Sequence, residues 1–322
     1  MLHTVLCDLF GIQHPVVLAP MGSATSAEFA AAVSNAGGLG SIGTLSRTTE
    51  AVMRDLDTIR TLTNWPFAVN HVPQSLDEQT FAATLRLQPA VISFALGDPG
   101  ELVDMAHAAG AKVMLQVTTV AQAVAGAELG VDVIIAQGGE AGGFGGVIST
   151  LTLVPQVVDA VAPVPVVAAG GIFDGRGLAA ALSLGVVGVN MGTRFLNTHE
   201  SPIDDEWRQA IINAKSEDAI KADALNAVEP IPGTEGFGTV LRSLRTPFLE
   251  EWNGKLDEAR DQRDRLHEEI GAMVQAGRGL DFLTTAGQSA GGISDVLSVA
   301  AIIARIVDDA ETTLRATSRF IT

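Results

Sequence analysis

Eight short apolar segments, each followed by an alanine-rich stretch with helical spacing, constrain this 322-residue chain more than anything else in it. The segments are residues 16–20, 39–43, 66–70, 90–94, 111–117, 131–137, 164–170 and 186–192. Short runs rich in valine and isoleucine and bounded by glycine or proline read as strands buried on both faces. Between them, helices are predicted over 26–36, 48–61, 76–87, 101–109, 120–129, 151–161 and 177–184. Gly37, Gly110, Gly130 and Gly185 stand just past four of these, where a left-handed cap ends a helix. Strict alternation of strand and helix predicts an α/β fold with a parallel sheet. Eight units predict closure into a (β/α)8 TIM barrel, and an open doubly wound sheet is the alternative.

The eight units end near residue 195. The next stretch, 201–285, is more polar and reads as a helical lid inserted after strand eight, where substrate choice should lie. Within it, Leu249, Trp252, Leu256, Ala259, Leu266, Ile270 and Met273 predict one long amphipathic helix over 248–273, interrupted once by Arg263. Glu251 with Lys255, and Asp261 with Arg265, would pair on its exposed side. GTEGFG, residues 233–238, reads as a loop before it. The glycine turn at 286–292 then opens a last helix to about residue 318, which should pack back on the barrel. The barrel is therefore assigned to 1–200 and 286–322, and the lid to 201–285. GLGSIG, residues 38–43, has the spacing of a dinucleotide fingerprint but lacks its context. A helix precedes it, and the glycines fall inside the next strand.

Bulk composition narrows the partners. A net charge of −17 argues against nucleic acid and against anionic membrane surfaces. No uninterrupted apolar run is long enough to span a bilayer, and the N-terminus lacks the basic flank of a signal peptide. A single cysteine, Cys7, excludes an internal disulfide and a cysteine-built zinc site, and suits the cytoplasm. No metal site is expected. A small molecule is the expected partner, and a homodimer is compatible with the sequence.

In a (β/α)8 barrel the chemistry lies at the carboxyl ends of the strands. Two of these ends, AAGGIFDGRG after strand seven and NMGTRF after strand eight, place Gly170, Gly171, Gly192 and Thr193 where backbone amides converge on one anion. The loop after strand six, GGEAGGFGG, is nearly stripped of side chains and admits a flat, large ligand. Phosphate cradle and bare loop together suit flavin mononucleotide (FMN). Asn70 and Gln116 would reach its ring edge, unless they are ordinary amides of the barrel interior.

These residues resemble a known family. FGIQHPVVLAPMG, NAGGLGSIG, AQGGEAGGFGG, VAAGGIFDGRG, GVNMGTRF and AGQSAGG, in this order and across nearly the whole chain, are similar to the nitronate monooxygenases, once called 2-nitropropane dioxygenases. The flavin-dependent enoyl-acyl-carrier-protein reductases share the architecture. The resemblance implies a TIM barrel holding FMN at Met21, Gly22, Asn70, Gln116, Gly142, Gly143, Ala169, Gly170, Gly171, Gly192, Thr193, Gln288 and Ser289. It also marks a departure. The family's glycine loop ends in a histidine that serves as catalytic base, and here that position is Phe144. Phenylalanine neither takes nor gives a proton, so it would instead stack on an unsaturated substrate. His71, directly after strand three, is the candidate replacement base. Glu140 would orient the loop or act as an acid. The resemblance implies an FMN oxidoreductase oxidising a nitronate, or a similar stabilised carbanion, with O2. The alternative, which the missing histidine favours while the overall resemblance favours the first, is an NAD(P)H-dependent reductase or dehydrogenase acting on a quinone or an enoyl thioester. A barrel that binds a phosphorylated ligand without catalysis is the third reading.

Overall fold

The computed structural model describes residues 2–228 and 239–320. Its first nine strands are β1 (Val16–Leu18), β2 (Gly40–Gly43), β3 (Phe67–His71), β4 (Val91–Phe94), β5 (Lys112–Val117), β6 (Val133–Gln137), β7 (Gly143–Gly145), β8 (Val166–Ala169) and β9 (Gly188–Met191). All but β7 are parallel and close into a barrel. The hydrogen-bonded order is β1-β9-β8-β6-β5-β4-β3-β2, and a parallel bridge from Val17 to Leu39 joins the two ends. The open-sheet alternative is thereby excluded. Helices appear in the predicted intervals, from Ala27–Asn35 to Gly175–Ser183.

Side-chain alternation along each strand makes two cores. Ala68, Val91, Met114, Val133, Ile135, Val167 and Ala169 fill the barrel, and Leu6, Cys7 and Phe10 of the first helix, Val5–Phe10, plug its amino end. Phe67, Val69, Ile92, Phe94, Leu115 and Ile134 face outward against the helices. Gly40 lies where helix and strand touch, since a Cβ there would collide with Ala30 O. This close approach gives GLGSIG a packing reason for glycine, in keeping with its missing fingerprint context. The last long helix, Val299–Thr317, returns to the barrel beside Gly175–Ser183.

The inserted segment departs from the expectation of a wholly helical lid. The single helix over 248–273 is three helices, Pro247–Trp252, Leu256–Asp261 and Arg263–Gln275. The chain turns at Gly254, where φ is +82°, so the apolar stripe is folded rather than straight. Lys255 and Arg265 lie over the Trp252 ring, each 5.7 Å from its centroid, instead of extending one exposed face. Residues 233–238 lie outside the described residues. A small antiparallel sheet also forms. β10 (Ala219–Lys221) pairs with β11 (Val240–Leu244), and β11 pairs with β7, which is the glycine loop itself. The insertion is therefore stitched to the barrel at the loop that follows β6, and it has its own core around Phe248, Leu249, Trp252, Leu266 and Ile270.

Candidate active site

A cavity of about 750 Å³ opens at the carboxyl ends of the barrel strands, inside the ~300–1,000 Å³ range of small-molecule sites. Of the positions expected to hold a cofactor, Met21, Gly22, Asn70, Gln116, Gly142, Gly143, Ala169, Gly170, Gly171, Gly192, Thr193 and Ser289 line it. Gln288 does not. Its backbone N–H donates to Glu140 O at 2.9 Å, which locks the late turn to the glycine loop. The lock is tight: a Cβ on Gly142 would sit 2.6 Å from Gly287 N, and one on Gly287 would sit 2.7 Å from Gly142 N. Gly287 N–H also donates to Thr193 Oγ1 at 2.9 Å, so three loops meet at the cradle.

The residues present fit a flavin nucleotide. Gly170 and Gly171 have φ of +99° and +72°, and Gly170 could carry no side chain without meeting Gly138 O at 2.8 Å. Gly192 has Met21 Sδ 3.0 Å from where its Cβ would be. The cradle is thus open backbone, as an anion site requires. Two buried amide oxygens on cavity-lining residues, Gln137 Oε1 and Asn190 Oδ1, have no hydrogen-bond partner among the described residues. Buried polar atoms of this kind are normally satisfied, so a polar ligand is their natural partner. Asn70 is held by donating to Ser93 Oγ at 3.0 Å and Ser93 O at 3.2 Å. By sequence Gln137 is placed at the barrel mouth without a role, and Asn190 is given none. The available signal is the two-residue period of β6 and β9, which turns both inward.

Phe144 faces the cavity. It sits opposite Leu241 in the lid sheet and packs between two apolar groups, the lid core and the cluster of Val72, Ala95 and Leu96 with Leu45. One wall of the site is therefore continuous hydrocarbon. Leu96 holds this wall with a left-handed backbone, φ +58°, which costs a non-glycine residue ~1–3 kcal/mol and is concentrated at functional sites.

The structure does not bring His71 or Glu140 to the cavity lining. Asn70 points into the barrel, so His71, its neighbour on the strand, points out. The ring is buried against Phe81, edge-on at 5.1 Å. Thr44 Oγ1 donates to Asn70 O at 3.1 Å and so accepts from His71 Nδ1 at 3.1 Å. Nε2 is buried without a partner among the described residues. Burial pushes the His71 pKa down to about 4, which keeps it neutral and poorly basic. The expectation that His71 replaces the missing base is corrected by strand alternation. Glu140 accepts from Thr150 N at 2.9 Å and Thr150 Oγ1 at 2.8 Å, which caps the helix Thr150–Val161 and fixes the loop. Of the two roles expected for it, the geometry carries the orienting one. Arg194 pairs with Asp295 at 2.9 Å, away from the cavity lining.

Burial of His71 also makes the fold sensitive to acid. The unfolded chain takes up this proton near the ordinary value of 6.5, and the folded chain takes it up near 4. Its contribution to stability is then complete above about pH 6.5, declines as pH falls from there toward 4, and levels off below. His71→Leu should flatten this acid dependence in urea titrations while turnover stays unchanged. Collapse of turnover in the folded variant would return the ring to the mechanism.

The barrel, with a glycine cradle and a cavity at its strand ends, is the frame of a (β/α)8 enzyme, and the family match makes that class the flavin-dependent oxidoreductases. Within that class the chain belongs to the nitronate monooxygenase family, whose profile matches residues 3–84 and 72–309. A probable nitronate monooxygenase of Staphylococcus aureus (strain Newman) is 32% identical over 76% of this chain and 79% of that protein. The (3aS,4S,5R,7aS)-5-hydroxy-7a-methyl-1-oxo-octahydro-1H-indene-4-carboxyl-CoA dehydrogenase of Rhodococcus jostii (strain RHA1) is 43% identical, over 63% of this chain and 58% of that protein. The match thus spans under two thirds of that relative's length. The solved structure of FabK from Thermotoga maritima superposes with a TM-score of 0.88 at 31% identity, covering all of both chains.

Among the described residues, no helix is long and apolar enough to cross a membrane, and no group of histidine, cysteine, aspartate and glutamate could hold a metal ion.

Proposed function

We propose that the chain is an FMN-dependent oxidoreductase that transfers a hydride to or from the carbon skeleton of an apolar acyl thioester, with NAD(P)H or its oxidised form as the second substrate. One observation carries this reading: the apolar stretch of the cavity lining in which Phe144 packs with Leu45, Val72, Ala95 and Leu96. FMN, when bound, supplies an acceptor and donor of electron pairs. Gly170, Gly171, Gly192 and Thr193 would hold its phosphate, and Asn70, Gln116, Gln137 and Asn190 its polar edges. The chain's own work is then to exclude water and to orient the substrate by shape against hydrocarbon. Residues 201–285 act as the lid, adding Trp207, Leu241, Leu280 and Leu283 to the cavity. The dehydrogenase of Rhodococcus jostii is named for a fused-ring acyl-CoA, a substrate of the kind such a wall suits.

A second reading, oxidation of a nitronate with O2, is supported by the family match and by the probable nitronate monooxygenase of Staphylococcus aureus. A nitronate arrives already ionised, so it loses little to a phenylalanine at 144. Anaerobic mixing separates the two. The first predicts that NADH or NADPH bleaches the flavin and that an enoyl thioester restores its colour. Bleaching by nitronate, with none by either nicotinamide, would replace it by the second. Protein that stays colourless in added FMN would remove both.

A further inference from the structure

Two cations of the lid sheet face the glycine loop. Arg242 is engaged along its whole fork, with Nε and Nη2 donating to Gly139 O at 3.1 and 2.7 Å and Nη1 donating to Ala219 O. Lys221 is not. An ammonium has three protons to give, and among the described residues Lys221 Nζ has two acceptors, Gly145 O at 2.9 Å and Val240 O at 3.0 Å. Close by is an oxygen that lacks a donor. Gln137 Oε1 is buried, on a cavity-lining residue, and unpartnered among the described residues. A Cβ on Gly145 would lie 3.0 Å from Gln137 Oε1 and 3.6 Å from Lys221 Nζ. The bare position at 145 leaves both the ammonium and the carboxamide facing the same small space, without a direct hydrogen bond between them.

We propose that Lys221 is a positioning residue of the active site: its ammonium holds the Phe144–Gly145 segment through Gly145 O and keeps a positive charge just behind Gln137 in the cavity lining, close enough to favour the reduced, more negative state of a bound flavin. The proposal rests on the oxidoreductase reading and names the group that acts where Phe144 offers neither proton nor charge. A fixed cation in a water-poor site stabilises developing charge more than the same cation in solvent. Burial, and secondly the neighbouring Arg242, push the Lys221 pKa down to about 8. The charge is therefore present at neutral pH and is lost as pH rises through about 8. The other charged groups around it are Arg242 on β11, Glu140 on the glycine loop, which attracts Arg242, and Asp223 on the helix Asp223–Val228, whose carboxylate accepts from Gly254 N.

The test measures the equilibrium between FMN-loaded protein and a dye of known potential, across pH values on both sides of 8, for wild type, Lys221→Met and Lys221→Arg. The equilibrium constant for flavin reduction should fall about tenfold or more in Lys221→Met, as expected for one charge removed from a partly buried site. Lys221→Arg should stay near wild type. Wild type should also lose this advantage over Lys221→Met as pH passes about 8. A Lys221→Met protein with lower melting temperature and unchanged potential would show a purely structural lysine and overturn the proposal. So would parallel pH dependences of wild type and Lys221→Met. Failure of the wild-type protein itself to bind FMN would instead overturn the oxidoreductase reading, and that outcome needs no variant.

Discussion

Phe144→His should raise the rate of oxidation of a neutral nitroalkane by ~10²–10⁴-fold, the usual contribution of a positioned general base. The position is the centre of β7, held on both flanks by pairing with β11, so an imidazole there would inherit a fixed backbone. The phenyl ring it replaces faces the cavity and packs with Val72, Ala95 and Leu96 on one side and the lid core on the other. Residue 144 is only partly buried at the cavity wall, so an imidazole there is less desolvated than His71 and keeps more of its basicity while remaining largely neutral at pH ~7, the form that accepts a proton. The gain should be confined to substrates that must be deprotonated. A preformed nitronate should react at nearly the same rate in both proteins, and the ratio of the two rates is the measurement. Equal slow rates with the neutral nitroalkane, in a variant that keeps its flavin, would mean that residue 144 does not face the reacting carbon.

The same residue shows where the sequence stops being informative. The barrel is legible because each strand is a local object, an apolar run with a glycine or helix at its end, and eight of them in alternation leave few ways to fold. β7 is not a local object. Two glycines around one phenylalanine have little strand propensity, and Gly143–Gly145 becomes a strand through pairing with Val240, Leu241 and Arg242, far along the chain. Lys221 and Arg242 are unreadable for the same reason, since both act on carbonyls of a loop that the chain reaches only after folding. The break in the lid helix is readable: Asn253-Gly254 interrupts the stripe, and glycine there takes a left-handed turn. The direction of His71 is readable too. If Asn70 points inward, the next residue on the strand points outward, and closeness to the strand end says nothing about which face is used. The cradle glycines are visible because backbone approach and anion binding both select against a Cβ. Gln137 and Asn190 sit at or near the ends of strands otherwise rich in valine and isoleucine, so the two-residue period gives their direction, but that they lack partners emerges only with the barrel.

Gly171→Asp should yield colourless protein, with FMN affinity lower by about three orders of magnitude. That figure follows from ~4 kcal/mol for two unit charges at about 4 Å and an effective dielectric constant of about 20. Three effects act at this position and need separating. The backbone is left-handed, φ +72°, a conformation aspartate tolerates better than most residues. A Cβ would meet Glu140 Cβ at 3.4 Å, so an aspartate would also lie near the carboxylate that caps Thr150–Val161. The third effect is direct repulsion of the phosphate. Gly171→Asn reproduces the shape and the strained backbone without charge, so whatever it loses is steric. The Glu140 effect belongs to the protein without cofactor, and melting of the apo forms measures it. If the apo proteins carrying Asp and Asn melt together while their FMN affinities differ by orders of magnitude, the difference is charge against phosphate. Yellow protein at full occupancy from Gly171→Asp would place the anion elsewhere on the barrel.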